Sequence, residues 1–243
     1  MTTERESGVA DIPLTIEFFH DCLSAWCYKL SERLHAFVAA HPEVQVVHRS
    51  FPLASSPDSI GGRLFANKTD VKQEVIKQEV IMVHWAEARD FEPDPRINCE
   101  LMMSRDFDYP YSMPNQLGGK AAELQGGQAA HWAFFDRVQR AHLTECRNIA
   151  DWEVLASCAG EIGLDVPRWR ADASGEHAHT LVAEDMARAG RYGILRIPAL
   201  VADGRHLLQG LPKSILGYCI KEESLDTFYA DVMRRRTLGY DLL

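Results

Sequence analysis

Two side chains three residues apart offer the most direct chemistry in this sequence: the hydroxyl of Ser24 and the thiol of Cys27. Before them, Leu14-Thr15-Ile16-Glu17-Phe18-Phe19 is an apolar, β-branched run that reads as a strand buried on both faces. His20-Asp21-Cys22-Leu23-Ser24 breaks that run, and Trp26, Leu30, Leu34, Phe37 and Val38 then recur three or four apart, which predicts a helix from Ser24. The hydroxyl and the thiol therefore sit at the positive end of a helix, where unpaired N–H groups and the macrodipole favour a negatively charged sulfur. Plainer readings stand beside this one. Serine is a favoured N-cap, and free cysteine is often inert core filler. Cys22 could bridge Cys27 only if the backbone brings the two Cα atoms within roughly 7 Å. Trp26 is a candidate substrate contact, although packing is its simpler role.

A second constellation lies near the end of the chain. Arg196-Ile197-Pro198-Ala199-Leu200-Val201-Ala202 is an apolar strand with proline at its head, a position that tolerates proline and suggests a cis bond. Ile197 would then offer its backbone N–H and C=O to an extended ligand by strand-like pairing. The histidines are less informative. His177 and His179 fall on different sides of a helix, a poor metal pair, while His84, His131 and His142 sit in helices near aromatics and cannot be placed. The six cysteines (Cys22, Cys27, Cys99, Cys146, Cys158 and Cys219) are irregularly spaced with no Cys-x-x-Cys, so neither a zinc site nor a disulfide framework is suggested and no metal ligands are assigned. Cys99, Cys146, Cys158 and Cys219 are expected to pack inside helices.

The elements that must position these groups follow in order. Helix Ser24 to about Ala40 ends at His41-Pro42, and Val44 to Phe51 is a second strand, parallel to the first through a βαβ crossover. A loop covers Phe51 to Gly62. Helical patterns then occupy Asp70 to about Arg89, with Asp70 and Gln73 as a capping box, followed by Ile97–Ser104, Met113–Leu124, Gln128–His142, Asp151–Ile162 and Glu176–Gly190. Asp203-Gly204 turns a hairpin into Arg205-His206-Leu207-Leu208, Gly210 and Pro212 lead toward another helix, and Leu225 to Arg236 reads as a surface helix fit for docking or an oligomer contact. The expected architecture is α/β, a βαβ…ββα fold with a large all-helical insertion. Its thioredoxin-like part spans 12–62 and 190–222, the inserted subdomain 63–189, and the C-terminal helix 223–243.

Composition limits the function classes. The 243 residues carry a net charge of −9 with 25% charged residues, which argues against general affinity for nucleic acid or anionic membrane. Met1 to Asp11 is polar with acidic residues, unlike a secretory signal, and no stretch approaches the roughly 18–20 apolar residues that cross a bilayer. A cytoplasmic protein is expected.

The order of elements, together with several short stretches, resembles the DsbA family of thioredoxin-fold proteins from Leu14 to about Ile220. Ser24-Ala25-Trp26-Cys27-Tyr28 stands where the FrnE-like oxidoreductase branch has Cys-Pro-Trp-Cys-Tyr. Phe51-Pro52-Leu53, Asn148-Ile149-Ala150-Asp151, Gly163-Leu164-Asp165 and Ile197-Pro198-Ala199-Leu200 with Asp203-Gly204 are similar to that branch as well. The resemblance implies a reactive site at Ser24 and Cys27 facing Pro198. The departure is at Ser24: a serine hydroxyl is not appreciably ionised near neutral pH, and thiol exchange needs a thiolate. Asp21-Cys22-Leu23-Ser24 is also similar to the active-site start of kappa-class glutathione transferases and 2-hydroxychromene-2-carboxylate isomerases, where the family's serine donates to the glutathione thiolate.

Three readings follow. The first is a DsbA-type thiol/disulfide oxidoreductase acting through Cys27, with Cys22 as a redox partner or through a mixed disulfide with a small thiol. The second is a glutathione-dependent isomerase or transferase in which Ser24, the Ile197 backbone and a basic residue converge on the tripeptide. The third is a binding module without redox chemistry. No tightly bound cofactor is expected, with glutathione a co-substrate in the second reading. The partners expected are a small thiol or peptide substrate and a second copy in a homodimer, and neither nucleic acid nor membrane.

Overall fold

A computed structural model describes residues 13–60, 71–91, 94–212 and 218–238 of the chain. Its centre is β1 (Leu14–His20), six of whose seven residues are buried. The burial follows from position: in the sheet order β2-β1-β3-β4, β1 is flanked on both edges and covered on both faces. Successive side chains point to opposite faces, so the Phe18 ring meets Phe135 edge-on at 5.8 Å and the Phe19 ring meets Tyr192 at 6.1 Å. β2 (Val44–Ser50) pairs parallel to β1, with Phe18 opposite His48, through the crossover helix α1 (Ala25–Ala40). β3 (Ala199–Ala202) returns antiparallel on the other edge, with β4 (His206–Gln209) outside it. Asp203, Gly204 and Arg205 connect that hairpin; Asp203 and Gly204, at φ values of 50° and 68°, are the central residues of a left-handed turn closed by the Arg205 N–H to the Ala202 carbonyl at 3.0 Å.

Between β2 and β3 lie the helices. α2 (Gln73–Glu79) runs into a π-helical turn over Val80–Trp85 and on into α3 (Ala86–Phe91). Lys72 stands at the N-cap without a side-chain bond, and Asp70, the expected capping partner, lies outside the described residues. α4 (Cys99–Met103) is capped by Asn98. α5 (Met113–Leu143) is broken at Gly126 and Gly127, the latter at φ 65°, so it comprises two helical halves, near the two expected from the sequence. Glu123 and His131 would stand about 12 Å apart along a straight helix, yet they are hydrogen-bonded at 2.9 Å. The halves therefore fold back on each other as a hairpin. α6 (Trp152–Glu161) is capped by Asp151, and α8 (Glu176–Arg191) closes the insertion. Between them α7 (Val166–Ser174) is absent from the sequence reading; Asp165 caps it and Pro167 sits in its first turn, a start signal that its weak apolar pattern concealed.

Near the end of the chain, Leu211–Pro212 (β5) pairs with Tyr218–Cys219 (β6); the helix expected after Gly210 and Pro212 falls on residues 213–217, outside the described set. The helix expected over Leu225 to Arg236 is α9 (Glu222–Leu238), which rests on the body of the chain through buried Leu225 and Val232 and through the hydrogen bond from Tyr229 to Glu43. Arg236 pairs with Asp203 at 2.6 Å and donates to the Pro13 carbonyl at 3.2 Å. All six cysteines are buried and free, but Cys146 sits in a turn at φ 53° and Cys219 in a strand, not in helices. Among the described residues no helix is long and apolar enough to cross a membrane.

Candidate active site

The site is built around the turn from β1 into α1. Asp21 is fully buried, and its carboxylate accepts from the N–H of Leu23 at 3.1 Å, from the N–H of Leu53 at 2.7 Å and from the Ser112 hydroxyl. Burial pushes this carboxyl above its ordinary range against the pull of those donors. The bonds tie the turn to the loop after β2 and to the head of α5. Ser24 then caps α1 with extended backbone (φ −87°, ψ 110°), its hydroxyl accepting from the Cys27 N–H at 3.2 Å. Gln139, on the second half of α5, donates to the Ser24 carbonyl at 3.0 Å. Two elements, α1 and α5, thus hold Ser24.

Opposite this turn, the segment entering β3 carries a cis Ile197–Pro198 bond. Ser24, Trp26, Arg196 and Ile197 line one cavity of about 260 Å³, with Leu53, Ile60, Val80, His84, Trp85, Tyr109 and Leu195 among its other walls. Gly210 donates to the Pro198 carbonyl at 3.2 Å, whereas the Ile197 backbone makes no hydrogen bond among the described residues. Ser24, Trp26 and Ile197 from the sequence reading are therefore brought together.

Cys27 and Cys22 are not part of that wall. Cys27 is 0% exposed, and burial pushes its thiol up to about 12, although the Ser24 hydroxyl beside it pulls the other way. Burial, with the Asp21 carboxylate next in effect, raises the Cys22 thiol well above the usual range. Both stay protonated near neutral pH, and they are not joined. The helix N-terminus is in place, but the sulfur one turn in lies on its core side.

A family model described as DSBA-like thioredoxin domain matches residues 15–214. The chain belongs to this family. Solved structures agree on the fold of this DSBA-like chain. A candidate protein disulfide isomerase from Nitrosomonas europaea superposes with a TM-score of 0.68 at 17% identity, covering 92% of this chain and 98% of that one. The cytosolic disulfide reductase DsbM from Pseudomonas aeruginosa, solved with GSH, gives 0.62 at 21% identity over 91% and 98%. A 2-hydroxychromene-2-carboxylate isomerase gives 0.53 at 14% identity over 94% and 99%. Among curated proteins, the ClpXP adapter protein SpxH of Shouchella clausii is 32% identical over 96 residues, 40% of this chain and 31% of that protein. The match spans less than a third of that relative's length.

Within the DSBA-like frame, the structure separates the histidines. His84 lines the cavity; its Nε2 is buried without a partner among the described residues, and burial lowers its pKa. Trp26 lines the same cavity, and its buried indole N–H likewise has no partner among the described residues. His142 lies behind the wall, its Nε2 3.2 Å from the Tyr109 hydroxyl, which accepts from the Trp85 indole N–H at 3.2 Å. His131 is on the far side of β1 with His20 and His48, a trio that sequence reasoning missed because the three are separated by 28 and 83 positions along the chain. Burial is the main force lowering the pKa of each of these three rings. His177 and His179 are exposed, as expected.

Proposed function

We propose that this DSBA-like chain binds a small thiol, glutathione by preference, with its sulfur at the amino end of α1, and acts as a glutathione-dependent transferase or isomerase. The reading rests on one observation: Ser24 lines the cavity at that helix end, while Cys22 and Cys27 are buried away from it with raised thiol pKa values. A neutral hydroxyl there donates to a thiolate and stabilises it as an oxyanion-hole donor stabilises oxygen. The Ile197 N–H and C=O pair with the extended tripeptide ahead of Pro198, and Arg196 supplies the cation for a carboxylate. The body of the second substrate meets the largely apolar wall of Trp26, Val80, Trp85 and Leu195. The GSH-bound neighbour and the isomerase neighbour are in keeping with this reading.

Titration calorimetry with reduced glutathione on the full chain tests it. One site per chain is expected, weakened about tenfold or more by Ser24→Ala, the loss of one charge-assisted hydrogen bond. Absence of heat with the native chain sinks the reading.

The family itself supports a second reading, thiol/disulfide exchange through Cys27. It requires that thiol to become accessible and ionised.

A further inference from the structure

Behind the Ser24 turn, on the opposite side of β1 from Tyr192, three buried imidazoles meet in the core. His20 ends β1, His48 lies on β2, and His131 comes from the second half of α5. Their ring centroids form a nearly equilateral triangle with sides of 5.0, 5.1 and 5.5 Å. One ring nitrogen from each lies within 4.8 Å of the others, and all three residues are at most 2% exposed.

We propose that His20, His48 and His131 form a binding site for one divalent ion of the borderline transition series, with zinc as its representative. Two imidazole nitrogens on one tetrahedral zinc at about 2.0–2.1 Å stand roughly 3.4 Å apart. The His48 Nδ1 and His20 Nε2 atoms are already 2.9 Å apart, so binding needs a small opening of that pair and an inward turn of the third ring. His131 is prepared for this. Its Nδ1 is held by the Glu123 carboxylate at 2.9 Å, which leaves Nε2 as the ligand atom, the carboxylate–histidine arrangement that orients metal-binding imidazoles.

The outward nitrogens, His20 Nδ1 and His48 Nε2, are buried with no partner among the described residues, so no hydrogen bond on the far side of either ring fixes its tautomer, and the facing His20 Nε2 and His48 Nδ1 are the atoms available to a metal. Lys120, beside the rings, is paired with Glu123 at 2.9 Å and with Asp185 at 2.6 Å, a carboxylate that Arg49 shares at 3.1 Å. Nitrogen donors select zinc, cobalt, nickel or copper over calcium and magnesium, which require oxygen. The ion would tie β1, β2 and α5 together directly behind the Asp21–Ser24 turn. It stands apart from the thiol chemistry and survives if glutathione does not bind.

The test uses the full chain, expressed in cobalt- or zinc-supplemented medium and, in parallel, stripped with a chelator and refolded with each ion. One ion per chain is expected, with the visible absorbance of tetrahedral or five-coordinate cobalt and X-ray absorption at the zinc edge reading three imidazoles. Glu123→Gln should weaken binding 10- to 100-fold, and His131→Gln should abolish it. The His177→Gln/His179→Gln double variant should bind within twofold of the native chain. Because core variants can fail to fold, the zinc-edge spectrum of the native chain decides independently of them. No ion retained in either preparation, fewer than three imidazoles at the zinc edge, or equal competition by calcium would overturn the site.

Discussion

At position 24 the difference between oxygen and sulfur decides which molecule must bring the nucleophile. A cysteine at a helix N-terminus loses its proton near neutral pH; a serine there keeps it and can only stabilise a sulfur supplied from outside. Cys27 does not compensate, because its thiol is raised to about 12 by burial. Labelling of the folded chain with a maleimide, resolved by peptide mass, should therefore find Cys27 unmodified over hours at pH 7.5, with reaction rising only as the pH climbs toward 12 or the chain unfolds. Rapid labelling at pH 7.5 would instead support exchange through Cys27. The Ser24/Cys27 spacing, the capping role of Ser24 and the approach of Ile197 were legible in the sequence, because each depends on local backbone geometry. The depth of Cys27 was not, since it depends on packing from α5 and the sheet. The buried polar atoms of Trp26 and His84, without a partner among the described residues, were equally hidden: periodicity places a side chain on a helix face and says nothing of what faces it.

The elements carry the same lesson in another form. Strong periodicity made β1, α1, β2 and α8 readable within a residue or two, and Asp203-Gly204 located the hairpin. What failed was short or irregular. α7 has too few apolar residues to reveal a face, and the π turn at Val80–Trp85 shifts the register on which periodicity relies. The hairpin of α5 depends on small residues where its halves touch. A Cβ added at Gly118 would stand 2.7 Å from the Phe134 and Trp169 rings, neither of which can bend away. Gly118→Ala should destabilise the chain by about 1–3 kcal/mol, as overpacking does. Gly190→Ala, in α8 with nothing within 4 Å of the added carbon, should be neutral or slightly stabilising. Urea titrations of the two variants check the contrast, and equal loss in both would refute the proposed contact between the halves.

For the molecule as a whole, buried polar groups do much of the cross-linking. Arg49 pairs with Glu17 at 2.6 Å and with Asp185 at 3.1 Å, while Arg188 and Tyr192 reach the same Glu17, so β1, β2 and α8 share one network. Such pairs fix geometry more than they add stability. His142, 0% exposed, gives the fold a pH limit: burial lowers its pKa from 6.5 to about 3. The native ring stays neutral while the unfolded chain takes up a proton as the pH falls through 6.5. Its contribution is therefore complete above that value and is lost toward pH 3 at about 1.4 kcal/mol per pH unit. Denaturant titrations from pH 7 to 4 should show stability falling on the acid side, and His142→Phe should flatten part of that slope. An unchanged slope would mean that the ring is already charged or exposed.

The contact between Arg236 and the Pro13 carbonyl has one more consequence. Residues 223 positions apart in sequence are neighbours in space, so the path from first strand to last helix nearly closes on itself. A gene that fused those two points and opened the backbone elsewhere on the surface, at the Gly163 turn for instance, would encode the same set of contacts in a different linear order.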